Sequence, residues 1–186
     1  MKKSSAFTLA EVLITLAIIG VVAAMTIPGV ILRTNQQEYK SGFKKAISVL
    51  NQAVTMSLAM DNDSPEYQKS TQELHDYLIK RMNVMKSDIS TSGGNKAFYT
   101  ADGFRYEIGS VPSTGCTQDA PCIITVDVNG DRGPTTVDDN SYLTGDNYPT
   151  ADDKEVPDCF YVMISDVSVQ PYGAVAQRTM YQPDSN

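Results

Sequence analysis

The sequence predicts an α+β protein: a long N-terminal helix, membrane-spanning in its first half and amphipathic in its second, packed on a small antiparallel sheet. Three observations carry that expectation. The segment FTLAEVLITLAIIGVVAAMTIPGVIL, from Phe7 to Leu32, is apolar but for one acid, Glu11. Phe43, Ile47, Leu50, Val54 and Leu58 then recur at helical spacing, as one face of an amphipathic helix does. From Phe98 onward the pattern changes to short runs rich in β-branched and aromatic residues, separated by Asp-Gly and Asn-Gly pairs, the pattern of strands and turns.

The apolar segment comes first. No charge occurs from Val12 to Leu32, and roughly 20 such residues cross a hydrocarbon layer as a helix. An acid inside a span is costly and marks a function by default. The order of the flanking residues is informative too. A secretory signal peptide puts its small-residue cleavage site after the apolar core. Here Ser4, Ser5 and Ala6 precede the core, behind Lys2 and Lys3. A cut after Ala6 leaves the hydrophobic segment on the mature chain and frees the amine of Phe7.

With the short Lys-bearing leader, FTLAE after the cut, Gly20 and Pro28, the sequence resembles the type IV pilin and type II secretion pseudopilin family. The family usually has Gly before the cut, where this chain has the small residue Ala6. The resemblance implies that a prepilin peptidase of the inner membrane cleaves between Ala6 and Phe7 and methylates the Phe7 amine. It implies assembly into a helical filament for type II secretion or type IV pilus function. Partners would be other copies and other pilins or pseudopilins, an assembly ATPase and a polytopic platform protein. Glu11, Phe7 and Pro28 are then the assembly residues. A free α-amine has a reference pKa of about 7.7–8.0, so the Phe7 amine, one helical turn from Glu11, is a cationic partner for it on the same chain or a neighbour. In such a filament, Val12–Leu32 and much of 43–58 are expected to pack in the core.

The expected organisation is a leader at 1–6, a transmembrane and assembly helix at 7–32, an amphipathic continuation at 33–60, and an α+β head at 61–186. Pro28 removes an internal hydrogen bond and, with Gly29, loosens the helix at the junction. Lys40, Lys44, Lys45, Asn51 and Gln52 fall mostly off the apolar stripe. The polar run DNDSP, 61–65, ends the helix. Ser70-Thr71-Gln72-Glu73 is a capping box that starts a second helix, with Leu74, Leu78, Met82 and Met85 as its apolar face and His75 at the edge. Residues 87–95 read as a loop. Strands are expected at 97–100 and 104–108 around an Asp102-Gly103 hairpin turn, then at 122–128, 159–165 and, as a last edge strand, 173–177. The stretch 129–158 is long, acidic and poor in apolar residues.

Net charge is −7 over 186 residues. With Lys2 and Lys3 held cytoplasmic by the positive-inside rule, the remainder is an acidic exported domain, anchored in the inner membrane or carried into a periplasmic or surface filament. That balance argues against a nucleic-acid binder, which shows a basic stripe. No P-loop, G-x-S-x-G or H-E-x-x-H motif occurs, and His75 is the single His, so the pattern is that of a non-enzyme. Three cysteines occur, Cys116, Cys122 and Cys159. An exported domain permits a disulfide. Cys116–Cys122 closes a short loop and leaves Cys159 buried in a strand, while pairings with Cys159 stay open because connectivity is not readable from sequence.

DVNGDRGPTTVD, from Asp127 to Asp138, is the strongest ligand motif. Asp127, Asn129, Asp131 and Asp138 take the first, third, fifth and twelfth places of an EF-hand-type calcium loop. Arg132 stands where that loop wants Gly, and Asp138 where it wants Glu. The plainer reading is an Asn-Gly turn leaving a strand. A second acidic group is Asp138, Asp139, Asp152 and Asp153. Calcium is thus the one cofactor the sequence suggests. The alternative to a filament subunit is a membrane-tethered binding module, calcium-dependent or not, or a tip subunit that binds cargo or DNA.

Overall fold

The structure, a computed structural model, describes residues 7–130, 132, 157–166 and 168–181. The leader and nearly all of the acidic stretch 129–158 lie outside the described residues. The chain divides into two compact units, Met1–Gln37 and Glu38–Asn186, and helix α1, Leu9–Asp61, belongs to both.

In the first unit α1 is a continuous helix that presents its apolar side chains outward, among them Leu13, Ile14, Ile18, Val22 and Ile27. The hydroxyl of Thr15 donates to the Val12 carbonyl at 2.9 Å, and that of Thr26 to Val22 at 3.0 Å. Polar groups satisfied by their own helix are what an apolar environment tolerates. The helix runs unbroken through Pro28; the loosening expected there does not interrupt it.

In the second unit, α1 supplies one face to the core. Phe43, Ala46, Ile47, Leu50, Ala53 and Val54 are buried, at the spacing that puts them on one side of a helix. The stripe ends one turn earlier than expected. Ser57 is buried while Leu58 is about half exposed, and Asn62, with φ of 51°, closes the helix in the left-handed conformation typical of a helix end. These residues pack in their own head, so they are not available to a filament core as 43–58 were expected to be. The face left exposed is polar and small: Ser41, Lys44, Ser48, Gln52 and Thr55.

Six strands follow: β1 Val84–Ser90, β2 Lys96–Thr100, β3 Arg105–Ile108, β4 Cys122–Asp127, β5 Cys159–Ile164 and β6 Val169–Tyr172. They lie in sequence order, each antiparallel to the next. Side chains alternate about a pleated strand. Tyr106 and Ile108 of β3, Ile124 and Val126 of β4, and Val162 and Ile164 of β5 accordingly face the core. Phe43 stacks on Phe160 with ring centroids 4.1 Å apart, and Phe98 on Tyr106 at 5.1 Å. Emptying either stack by truncation to Ala costs about 3–5 kcal/mol.

Helix α2, Thr71–Ile79, starts at the expected cap. The Ser70 hydroxyl accepts the Glu73 N–H at 3.2 Å, and the Glu73 carboxylate accepts the Lys69 N–H at 2.7 Å. Its face differs from expectation in three residues. Met82 and Met85 lie beyond the helix, Met82 buried in the core and Met85 exposed in β1. His75 is fully buried rather than at the edge, its ring 5.7 Å from Phe98 in an edge-to-face arrangement. Residues 87–95, expected as a loop, hold most of β1 and a 3₁₀ turn at Ser92–Gly94. As an edge strand, β1 is held by backbone pairing with β2 and broken by register shifts, so it needs no apolar alternation.

The C-terminal expectation is corrected as well. Residues 173–177 are not a strand. Gly173, at φ of 87°, turns the chain into helix α3, Ala174–Tyr181, and the edge strand is β6 before it. Asn51, off the apolar stripe, has a use the periodicity does not show. Its Nδ2 donates to the Val169 carbonyl at 3.1 Å and its Oδ1 accepts the Val169 N–H at 3.2 Å. The amide takes the place a neighbouring strand would take at β6. Replacing Asn51 with Ala strands both Val169 groups, so the variant should lose about 1–3 kcal/mol in denaturant unfolding, with faster amide exchange at Val169.

Candidate functional site

The N-terminus of α1 is built from the four residues Thr8 to Glu11. The first turn of a helix leaves backbone N–H groups without partners. Here Glu11, at the third helical position, turns its carboxylate back: Oε2 accepts the Thr8 N–H at 2.8 Å and the Thr8 hydroxyl at 2.7 Å. The Thr8 Oγ1 in turn accepts the Glu11 N–H at 3.3 Å. This is a capping box of the form T-x-x-E, and it places the charge of Glu11 against the positive end of the helix dipole. The same pattern marks α2, so Thr8 was within reach of sequence reasoning. Phe7 is the residue just before this box. In the full chain its nitrogen is a peptide nitrogen, and it is Thr8 that donates to the Glu11 carboxylate.

Residues 1–27 match the family model described as the prokaryotic N-terminal methylation motif, the signature of type IV pilin and pseudopilin signals. The chain carries a prepilin-type signal. The prepilin-type motif implies processing by a prepilin peptidase and membrane assembly with other pilins. It is a structural-subunit motif and not one of an enzyme family. The helix that follows the signal is long and apolar enough to cross a membrane, which fits anchoring in the inner membrane. No curated protein and no solved structure matches the chain.

The cysteines resolve among themselves. Cys116 and Cys122 form a disulfide, with Cα atoms 5.0 Å apart. In the β4–β5 ladder Cys122 pairs with Ile164 and Cys159 with Asp127. Cys122 and Cys159 therefore sit at opposite ends of the ladder, about 17 Å apart at ~3.3 Å per residue, far beyond the reach of a disulfide. Cys159 is free and buried in β5, as expected. Burial pushes its thiol up to about 12, which makes it inert toward exchange.

Of the calcium loop, Asp127 and Asn129 are described, and Asp131 and Asp138 lie outside the described residues, as do Asp139, Asp152 and Asp153. Asp127 Oδ1 accepts the N–H groups of Asn129 and Gly130 at 3.1 and 2.9 Å. Gly130 takes a φ of 60° to follow that turn. Asn129 Nδ2 donates to Asp158 Oδ2 at 2.7 Å, and the Val128 N–H to the Asp158 carbonyl at 2.8 Å. Asp158, unremarked in the sequence, thus joins the two ends of the acidic stretch. The described part of the motif is an Asn-Gly turn leaving a strand. Among the described residues no group of three or more His, Cys, Asp or Glu is placed to hold a metal ion.

Asp127 is buried, and loss of solvation raises its carboxyl above the usual 3.8, the Asp158 charge adding to this and the two N–H groups opposing it. An acid with a raised folded value favours folding when protonated. Its contribution is present below the unfolded value and lost as pH rises through the folded one. Asn in its place keeps an oxygen for the turn and removes the charge. Asp127→Asn should therefore match or exceed the wild type in stability at neutral pH. Its advantage should shrink as pH falls toward 3.8, as read by thermal melts of both proteins across pH.

Proposed function

We propose that the protein is a structural subunit, pilin or pseudopilin, of a membrane-assembled helical filament serving type II secretion or a type IV pilus. The observation that carries this is the prepilin-type motif over residues 1–27, whose apolar span, Phe7 to Leu32, holds a single acid, Glu11, near its start. The leader stays cytoplasmic and the head is exported. Cleavage between Ala6 and Phe7 removes Lys2 and Lys3 and turns the Phe7 nitrogen into a methylated amine. An ion pair between that amine and Glu11 of a neighbour replaces the Thr8 bonds and sets axial register. The benefit is largest where water is excluded, since an acid left unpaired in a span costs up to about 2.5–3.5 kcal/mol.

Apolar side chains of Val12 to Ile31 then leave lipid for one another, with Pro28 giving the span room to adjust. An assembly ATPase and a platform protein drive the extraction. The contact between copies is head-to-tail and does not close, so it propagates as a filament. The polar exposed face of α1 in the head, with Lys44, Ser48 and Gln52, meets neighbouring heads.

Glu11→Ala tests the pairing. The variant should be cleaved and inserted like the wild type yet enter filaments at least about tenfold less, the equivalent of ~1.4 kcal/mol per contact. Mass spectrometry of the filament form should find Phe7 as a methylated first residue. Normal filament yield from Glu11→Ala, or an intact Met1 in filaments, contradicts the reading.

A further inference from the structure

The segment joining α1 to α2 is closed by a loop that the Cys116–Cys122 disulfide holds shut. The loop runs from the end of β3 to the start of β4 and is sewn to the segment at three points. The Thr71 hydroxyl donates to the Gly109 carbonyl at 2.9 Å. The Cys116 N–H donates to the Pro65 carbonyl at 3.1 Å. Between them, Gly115, at φ of 83°, lies so close to the Glu66 carbonyl that any side chain there would collide with it. The tip is folded on itself, with the Gly115 N–H on the Pro112 carbonyl and the Ala120 N–H on the Thr117 hydroxyl. Ser64 and Pro65 are buried, although Pro65–Tyr67 is only a short 3₁₀ turn. Besides the chain itself, the disulfide ties the tip to the sheet, through Cys122 at the start of β4.

We propose that this disulfide is a one-way latch, set by oxidation, that locks the segment joining α1 to α2 against the sheet. Closing it forms one Sγ–Sγ bond and releases two protons and two electrons. The electrons pass to a disulfide-donating thiol oxidase, which leaves as its dithiol. The donor reaches the thiols while the tip is lifted. Once the tip is down both sulfurs are buried, and a reductant has no line of attack on either. Cys159, a ladder's length away and buried, offers no competing thiol. The latch therefore records passage into an oxidising compartment. That timing rests on the exported head proposed above, whereas the mechanical role does not.

Trypsin on the full chain in detergent micelles tests the latch without reference to filaments. Lys69 is exposed in the clasped segment, while Arg105 lies in β3 within the sheet. The Cys116→Ala/Cys122→Ala pair should be cut after Lys69 at least about tenfold faster than the oxidised protein, with cutting after Arg105 unchanged, as local rather than global opening requires. Gly115→Val, with its disulfide intact, should show the same selective gain because the tip cannot seat. Equal Lys69 cleavage in the double variant and the oxidised protein overturns the proposal. So does equal acceleration at Lys69 and Arg105 in the double variant, which would make the disulfide a general staple. Protection of Lys69 in Gly115→Val overturns it too, since the Glu66 contact would then not be what the latch secures.

Discussion

A carboxylate at the start of an apolar helix faces two demands that normally conflict. The helix end needs acceptors for its free N–H groups, and the acid needs donors before it meets lipid. Thr8 and Glu11 meet both with one arrangement, in which the carboxylate accepts from the Thr8 N–H and hydroxyl. The rest of the N-terminal half follows from this. With the charge confined to the first turn, the chain from Val12 onward is free to be uniformly apolar. The threonines inside it bond back to their own helix and leave nothing for lipid to solvate. In the proposed reading a second donor, the Phe7 amine, comes with cleavage, which would link processing and assembly through one acid.

The head applies a different constraint to the same helix. From Phe43 to Val54 the apolar face of α1 is spent on the sheet, through the Phe43–Phe160 stack and the side chains around it. What it offers to another molecule is the opposite, polar face. In the proposed filament, contacts between such faces would be polar and screened by salt, whereas contacts between the first halves would be apolar. The division of labour within α1 thus separates an adhesive half from a half that is anchored in its own domain. Asn51 on α1 ties the helix to the edge strand β6, and the β3–β4 loop bonds the segment that follows α1 at Pro65.

Much of this was legible in the residues. The apolar run, the order of leader and small residues, the helical stripe and the Asp-Gly and Asn-Gly turns foretold α1, the β2–β3 hairpin, β4 and β5 nearly to the residue. Each rests on a local pattern of period or turn chemistry. The failures share a cause as well. Strand β1 has no alternation to read because it is held by backbone bonds to β2. His75 looked like an edge residue because its burial depends on Phe98, distant in sequence. Residues after Gly173 were read as strand because a short apolar run does not distinguish the two periods. At the sites, the Cys116–Cys122 pairing was foreseen but its rivals fell only to the β4–β5 register. Asn51 and Asp158 act over long separations that no spacing reveals. Thr8 was missed although its T-x-x-E signal was present.

The central claim is that Glu11 exchanges its bonds with Thr8 for an ion pair with the Phe7 amine when the processed chain assembles. Solid-state NMR with ¹³C at the Glu11 carboxyl and ¹⁵N at the Phe7 nitrogen reads that exchange directly, in membranes before cleavage and in the assembled form after it. The account predicts strong dipolar coupling in the assembled form, from a carbon–nitrogen separation of about 3–4 Å as in a close ion pair, with an ionised carboxyl. An assembled form in which the Glu11 carboxyl couples to no Phe7 nitrogen, on its own chain or a neighbour's, would contradict it.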